Sequence, residues 1–148
     1  MYEEVDILAH RASAPPLLNA LTELPRTVME IQGLLASLPF LSLGKRGDGH
    51  PVMVLPGFLA GDESTAVLRR HLARKGFAPI PWELGRNSGR PEIMQQRLPE
   101  RFEDLVRHCG QKISLVGQSL GGVYAREIAR LYPDSVRQVI TLGSPFGT

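Results

Sequence analysis

Cysteine is almost missing from this chain. Cys109 is the single one in 148 residues, so no internal disulfide can brace the fold, and a reducing, cytoplasmic setting is the expectation. The opening stretch MYEEVDILAHRAS is acidic and mixed. It lacks the basic start and apolar centre of a secretion signal, which leaves secretion open only through a signal removed beforehand. No run of 18 apolar residues occurs, so no membrane span is expected. Long basic runs are missing too: 17 basic residues against 15 acidic ones leave a net charge of +2, with arginine and lysine scattered. No Cys/His module is present, and His10, His50, His71 and His108 have no metal-like spacing. These absences give nucleic-acid binding and metal chemistry no footing, and the four histidines read as structural or solvated.

What is present is an ordinary globular composition, 43% hydrophobic and 22% charged, in a chain long enough for one core. Residues 1–50 read as a helical arm and linker. In PRTVMEIQGLLASLPFL the residues Val28, Ile31, Leu35 and Leu38 recur at helical spacing, with Pro25 at the start and Pro39 at the end. The glycine-rich run LGKRGDGH (43–50) reads as a turn or linker. The bland role of the arm is packing or a cap over a core.

From Pro51 the pattern becomes regular. VMVL (52–55), FAPIPWEL (77–84), ISLVG (113–117) and VRQVITL (136–142) are short apolar runs. Between them lie helical patterns at 62–74, about 92–108, and 120–133. Asp62 or Ser64 is a candidate cap for the first helix, and Gly76 its end. The prolines of the second strand suggest an edge position. Leu98, Phe102, Leu105 and Val106 should face inward from the second helix, which Pro99 splits or bends. Strand and helix alternate with no internal repeat. Residues 51–148 therefore predict an α/β class: a mainly parallel sheet with helices on both faces.

Against this background VGQSLGG (116–122) acquires a context. Ser119 could be a simple helix cap. However, the pentapeptide Gly117-Gln118-Ser119-Leu120-Gly121 follows a strand and opens a helix, the setting of a nucleophile elbow. There a serine hydroxyl projects above the sheet, small residues at Gly117, Gly121 and Gly122 allow strand and helix to pass closely, and free helix N–H groups face developing negative charge.

Three ordered pieces, VMVLPGFLAG (52–61), VGQSLGG and TLGSPFGT (141–148), make the sequence resemble the lipase and esterase members of the α/β-hydrolase family. Pro56-Gly57 stands where that family often has histidine-glycine, and Phe146 stands where it often has histidine. The resemblance implies Ser119 as nucleophile, with the backbone N–H groups of Leu120 and Phe58 as oxyanion donors; losing one such donor costs about 3 kcal/mol. It implies an ester or lipid-like substrate and no cofactor. Phe58, Leu59, Phe146, Gln118, Trp82, Arg86 and Asn87 are candidates for the pocket or its rim, Leu59 and Phe146 competing with plain loop packing and Trp82 with a core position.

One part of the machinery does not appear. After Ser119 the acids are Glu127 and Asp134, and no histidine follows, although the family's chain order is serine, acid, histidine. The expectation is an incomplete α/β-hydrolase domain ending before the acid and base. His50 precedes the first strand and should start at the far end of the sheet from Ser119, a poor position for a substitute base. Three functions remain: a carboxylic-ester hydrolase, a serine-dependent acyltransferase, or a non-catalytic hydrolase-like fragment or binding module. An incomplete sheet would also favour self-association through an exposed edge.

Overall fold

A computed structural model describes residues 46–145; the predicted arm helix, His10 and Phe146 lie outside the described residues. The chain divides into two units, Met1–Gly44 and Lys45–Thr148, and the description below concerns the second.

β1 (Pro51–Leu55) is buried along its whole length, as expected of a strand covered on both faces. A loop leads to α1 (Asp62–Arg74). Neither Asp62 nor Ser64 caps this helix by its side chain; the N-cap is Gly61. The Asp62 carboxylate instead accepts the N–H groups of Trp82 and Glu83 at 3.0 and 3.1 Å. Those donors leave β2 (Ala78–Pro81), where Glu83 has a φ of 58°, so the carboxylate is engaged in holding a strained exit. Beyond α1, Gly76 supplies the left-handed turn with φ 88°.

Ile93–Arg97 form a π-helical turn that runs directly into α2 (Leu98–Cys109). Pro99 lies in the first turn of α2. Its ring cannot tolerate the Gln95 carbonyl at normal α spacing, so the expected break takes the form of a widened turn. β3 (Ile113–Gln118), α3 (Leu120–Leu131) and β4 (Val136–Leu142) complete the unit.

The four strands are parallel, in the order β2-β1-β3-β4. β2, with Pro79 and Pro81, is at an edge, where missing donors are tolerated. Met53, Leu55 and Leu115 pack on one face against Leu98, Phe102 and Leu105 of α2 and Tyr124, Ala125 and Ile128 of α3. On the other face Val52, Val54 and Val116 meet Leu68 and Leu72 of α1, with Phe77. β4 is the other edge among the described residues. Its Ile140 shares a face with Val116 by register, yet Ile140 and Leu142 remain 45% and 43% exposed. No helix of the described residues is long and apolar enough to cross a membrane.

Residues 47–50 do more than link. Gly47 and Gly49 N–H groups bond the carbonyls of Lys75 and Gly76. Asp48 accepts the ring N–H and backbone N–H of His50 and an Arg137 guanidinium N–H at 2.9 Å. His50 Nε2 lies 2.8 Å from the Ser114 hydroxyl. With one ring nitrogen on the Asp48 carboxylate, the other is left facing the Ser114 hydroxyl. This network ties the start of β1 to β3 and β4.

Two expectations follow. Phe102→Ala should destabilise the fold by about 3–5 kcal/mol in urea unfolding, because the ring fills a fully buried site. Hydrogen bonds from His50, and then from Arg137, hold the Asp48 carboxyl well below the usual range. A carboxyl with a lowered folded-state pKa stabilises the fold above its unfolded value and loses that contribution as pH falls. Asp48→Asn should therefore flatten the decline in stability below about pH 4, measured as urea midpoints at pH 3 and pH 6 against the parent.

Candidate functional site

The carboxyl ends of β1 and β3 lie side by side because Leu55 pairs with Gly117. Whatever follows these strands must meet there. After β1 comes Pro56-Gly57-Phe58, and after β3 comes Ser119. A Cβ placed on Gly57 would sit 3.5 Å from the Ser119 Cβ and 3.4 Å from the Gln118 carbonyl oxygen.

Ser119 is exposed, with φ 50° and ψ −117°, a backbone conformation rarely adopted by residues other than glycine. Its side chain makes no capping bond, so the cap alternative is not what the local geometry uses. The strain is held by backbone partners. Ser119 N–H donates to the Leu142 carbonyl at 2.9 Å, and its carbonyl accepts the Gly122 N–H at 2.9 Å and the Ser144 hydroxyl at 2.7 Å.

The glycines are required by close approach. A Cβ on Gly117 would fall 2.3 Å from the Gly121 carbonyl oxygen, and one on Gly121 would fall 2.4 Å from the Leu55 oxygen. Both obstacles are backbone and cannot swing aside. Gly122 in turn makes room for Ser144.

Helix α3 starts at Leu120, immediately after Ser119, so its first N–H groups are free of helical partners. Neither Leu120 N–H nor Phe58 N–H finds an acceptor among the described residues. Leu120 follows Ser119 directly, and Phe58 follows Gly57, whose position closely approaches the Ser119 Cβ.

Phe58 and Leu59 are 58% and 55% exposed. The Phe58 ring and the Leu120 side chain lie against Gly89, 3.1 and 3.5 Å from where its Cβ would be. The structure thus gathers Ser119, Leu120, Gly57, Phe58 and Gly89, with exposed Gln118 beside them. Two rim candidates are displaced. Trp82 is fully buried in the core, its indole N–H donating to the Gly85 carbonyl at 2.8 Å, and so it lines no opening. Asn87 is also fully buried, its amide nitrogen donating to the Pro56 carbonyl at 2.9 Å. Arg86 remains exposed.

Ser144, within TLGSPFGT (141–148), has no role assigned from the sequence. A hydroxyl just beyond a strand end and near a glycine-rich elbow was the available signal. No histidine stands by Ser119 among the described residues. His50 precedes β1, and β1's five residues span about 16 Å. His71 and His108 lie in the last turns of α1 and α2. In strand–helix–strand units with parallel strands, helices run back toward the strands' amino ends, so all three histidines sit toward the end of the sheet opposite Ser119.

No family model matches the sequence, and no curated protein matches it significantly. Solved structures do match. The monoacylglycerol lipase of Paleococcus ferrophilus aligns with a TM-score of 0.56 at 20% identity, over 71% of this chain and 42% of that one. An α/β-hydrolase enzyme from the metagenome of sediments of the Mar Chica lagoon, Morocco, aligns with a TM-score of 0.52 at 23% identity, over 68% and 47%. This chain carries part of the α/β-hydrolase fold. A Bacillus licheniformis lipase in its mature form aligns with a TM-score of 0.50 at 18% identity, over 70% and 44%. At these identities the likeness is one of fold, and the chain spans less than half the length of each of these structures. The β3–α3 junction is a strand–turn–helix with Ser119 between the two elements.

The packing of the turn between β3 and α3 can be tested without any substrate. Gly121→Ala should cost about 1–3 kcal/mol in urea unfolding, because the added methyl meets backbone oxygens on β1 and its loop. Ser144→Ala should cost about 1 kcal/mol through its lost hydrogen bond.

Proposed function

We propose that this chain provides the nucleophile and oxyanion donors of a carboxylic-ester hydrolase. The observation that carries this reading is Ser119 itself: an exposed serine in a strained turn, at the start of a helix and beside a loop whose Phe58 N–H has no acceptor among the described residues. A protein maintains such strain where the conformation is used.

In this reading Ser119 Oγ attacks the ester carbonyl carbon, and the alcohol leaves with a proton as the acyl-enzyme forms. Water then adds to the acyl carbon and releases the acid. The N–H groups of Leu120 and Phe58 stabilise the oxyanion in both halves. The exposed side chains of Phe58 and Leu59 favour an apolar acyl or lipid-like portion. Among the described residues His50, His71 and His108 lie toward the other end of the sheet and do not activate this hydroxyl.

The full-length protein should be labelled at Ser119 by a fluorophosphonate, with the adduct assigned by peptide mass spectrometry. Ser119→Ala should abolish both labelling and p-nitrophenyl ester turnover while the thermal midpoint stays near that of the parent. Labelling elsewhere, or turnover that survives in Ser119→Ala, would refute the assignment.

A further inference from the structure

The loop carrying Phe58 adopts a conformation that its own residues disfavour. Gly57–Ala60 closes as a tight turn through an Ala60 N–H to Gly57 carbonyl bond of 3.2 Å. Its third residue, Leu59, has φ 59°, where such turns take glycine or asparagine. An external constraint is needed to hold the turn, and Asn87 supplies it. Fully buried, Asn87 uses both backbone groups and both ends of its amide. Its N–H donates to the Ala60 carbonyl at 2.8 Å, and its carbonyl accepts the Leu59 N–H at 2.7 Å. Its Nδ2 donates to the Pro56 carbonyl at 2.9 Å, and its Oδ1 accepts the Gly89 N–H at 3.2 Å. The turn is thus gripped on both sides of Phe58, while the Phe58 N–H has no acceptor among the described residues. Gly89, held by the same side chain, is the surface on which the Phe58 ring rests.

Given the reading of Ser119 as nucleophile, on which this rests, we propose that Asn87 is a positioning residue for the oxyanion site. It aims the Phe58 N–H by fixing the Pro56 carbonyl before it and the Gly89 wall beside it. The residue type follows from the partners. One end must donate to a carbonyl and the other must accept an N–H, at the reach of a short side chain, and an amide offers both. An aspartate carboxylate has the same shape but presents an acceptor to the Pro56 oxygen; once protonated, it donates again.

Steady-state hydrolysis of p-nitrophenyl butyrate by the full-length protein tests this, with Asn87→Ala, Asn87→Asp and Ser119→Ala compared at matched pH. At pH 8, Asn87→Asp should lower kcat on the order of 100-fold, as for a lost oxyanion donor, with KM changed by less than about threefold if substrate binding is spared. The deficit relative to the parent should shrink toward pH 5 as the introduced carboxyl takes up a proton. Asn87→Ala should lose kcat at both pH values. A folded Asn87→Asp with parental kcat, a loss expressed in KM, or a deficit unchanged between pH 5 and pH 8 overturns the proposal. The pH comparison still decides the matter where Asn87→Ala does not fold. Ser119→Ala separates the two readings: if it keeps parental turnover, the serine assignment falls and this proposal with it. An inactive Ser119→Ala beside a fully active Asn87→Asp removes the role of Asn87 alone.

Discussion

Where β3 turns into α3, the backbone passes so close to the end of β1 that a single methyl group has no place. The Gly121 position faces the Leu55 and Pro56 carbonyl oxygens, and Gly117 faces Gly121 across the turn. This backbone crossing follows from parallel pairing of β1 with β3 in the register that aligns Leu55 with Gly117. The rest of the site depends on it. It sets the start of α3 next to the loop leaving β1, so that Leu120 and Phe58, whose N–H groups have no acceptor among the described residues, lie on either side of exposed Ser119. Slipping the register by one residue would turn the side chains of β1 to the opposite face of the sheet, sending Met53 and Leu55 away from α2 and α3.

The strain at Ser119 is paid for locally. Its N–H and carbonyl are both satisfied by neighbours, and Ser144 adds a hydroxyl from beyond β4. The neighbouring loop follows the same logic, with Leu59 in a left-handed conformation and Asn87 bonded on either side of it. Positive φ at Leu59, Glu83 and Ser119 in each case coincides with partners that fix the adjoining backbone. The carboxyl ends of the strands therefore hold their unusual conformations through hydrogen bonds made by segments distant in sequence, while apolar packing holds the sheet beneath.

That division explains what could be read in advance. Strands announce themselves as apolar runs, helices by their 3.6-residue period, and the turn between β3 and α3 by a contiguous glycine-flanked pentapeptide; all are local signals. The edge position of β2 was legible from Pro79 and Pro81 for the same reason. Asp62 was misread as a cap because the capping rule sees only neighbours, whereas its carboxylate found donors 20 residues away. Asn87 reaches 31 residues back to Pro56, and Ser144 reaches 25 back to Ser119. Such pairs leave no periodic trace in one sequence. Trp82, which follows a strand end, left rim and core both open in the sequence; the structure puts it in the core, with its one polar atom satisfied by Gly85.

The Asp48–His50–Ser114 network has a consequence for how hydrolases are recognised. Its atoms follow the connectivity of a catalytic triad: carboxylate to Nδ1, Nε2 to hydroxyl. A distance template would select this trio and pass over Ser119, which has no imidazole beside it among the described residues. Yet Ser114 and His50 are 1% and 5% exposed, and an ester carbonyl has no path to that hydroxyl. The same three side chains that elsewhere break bonds here clamp three strands together, so solvent access has to be weighed before connectivity when a serine, a histidine and an aspartate are found in line.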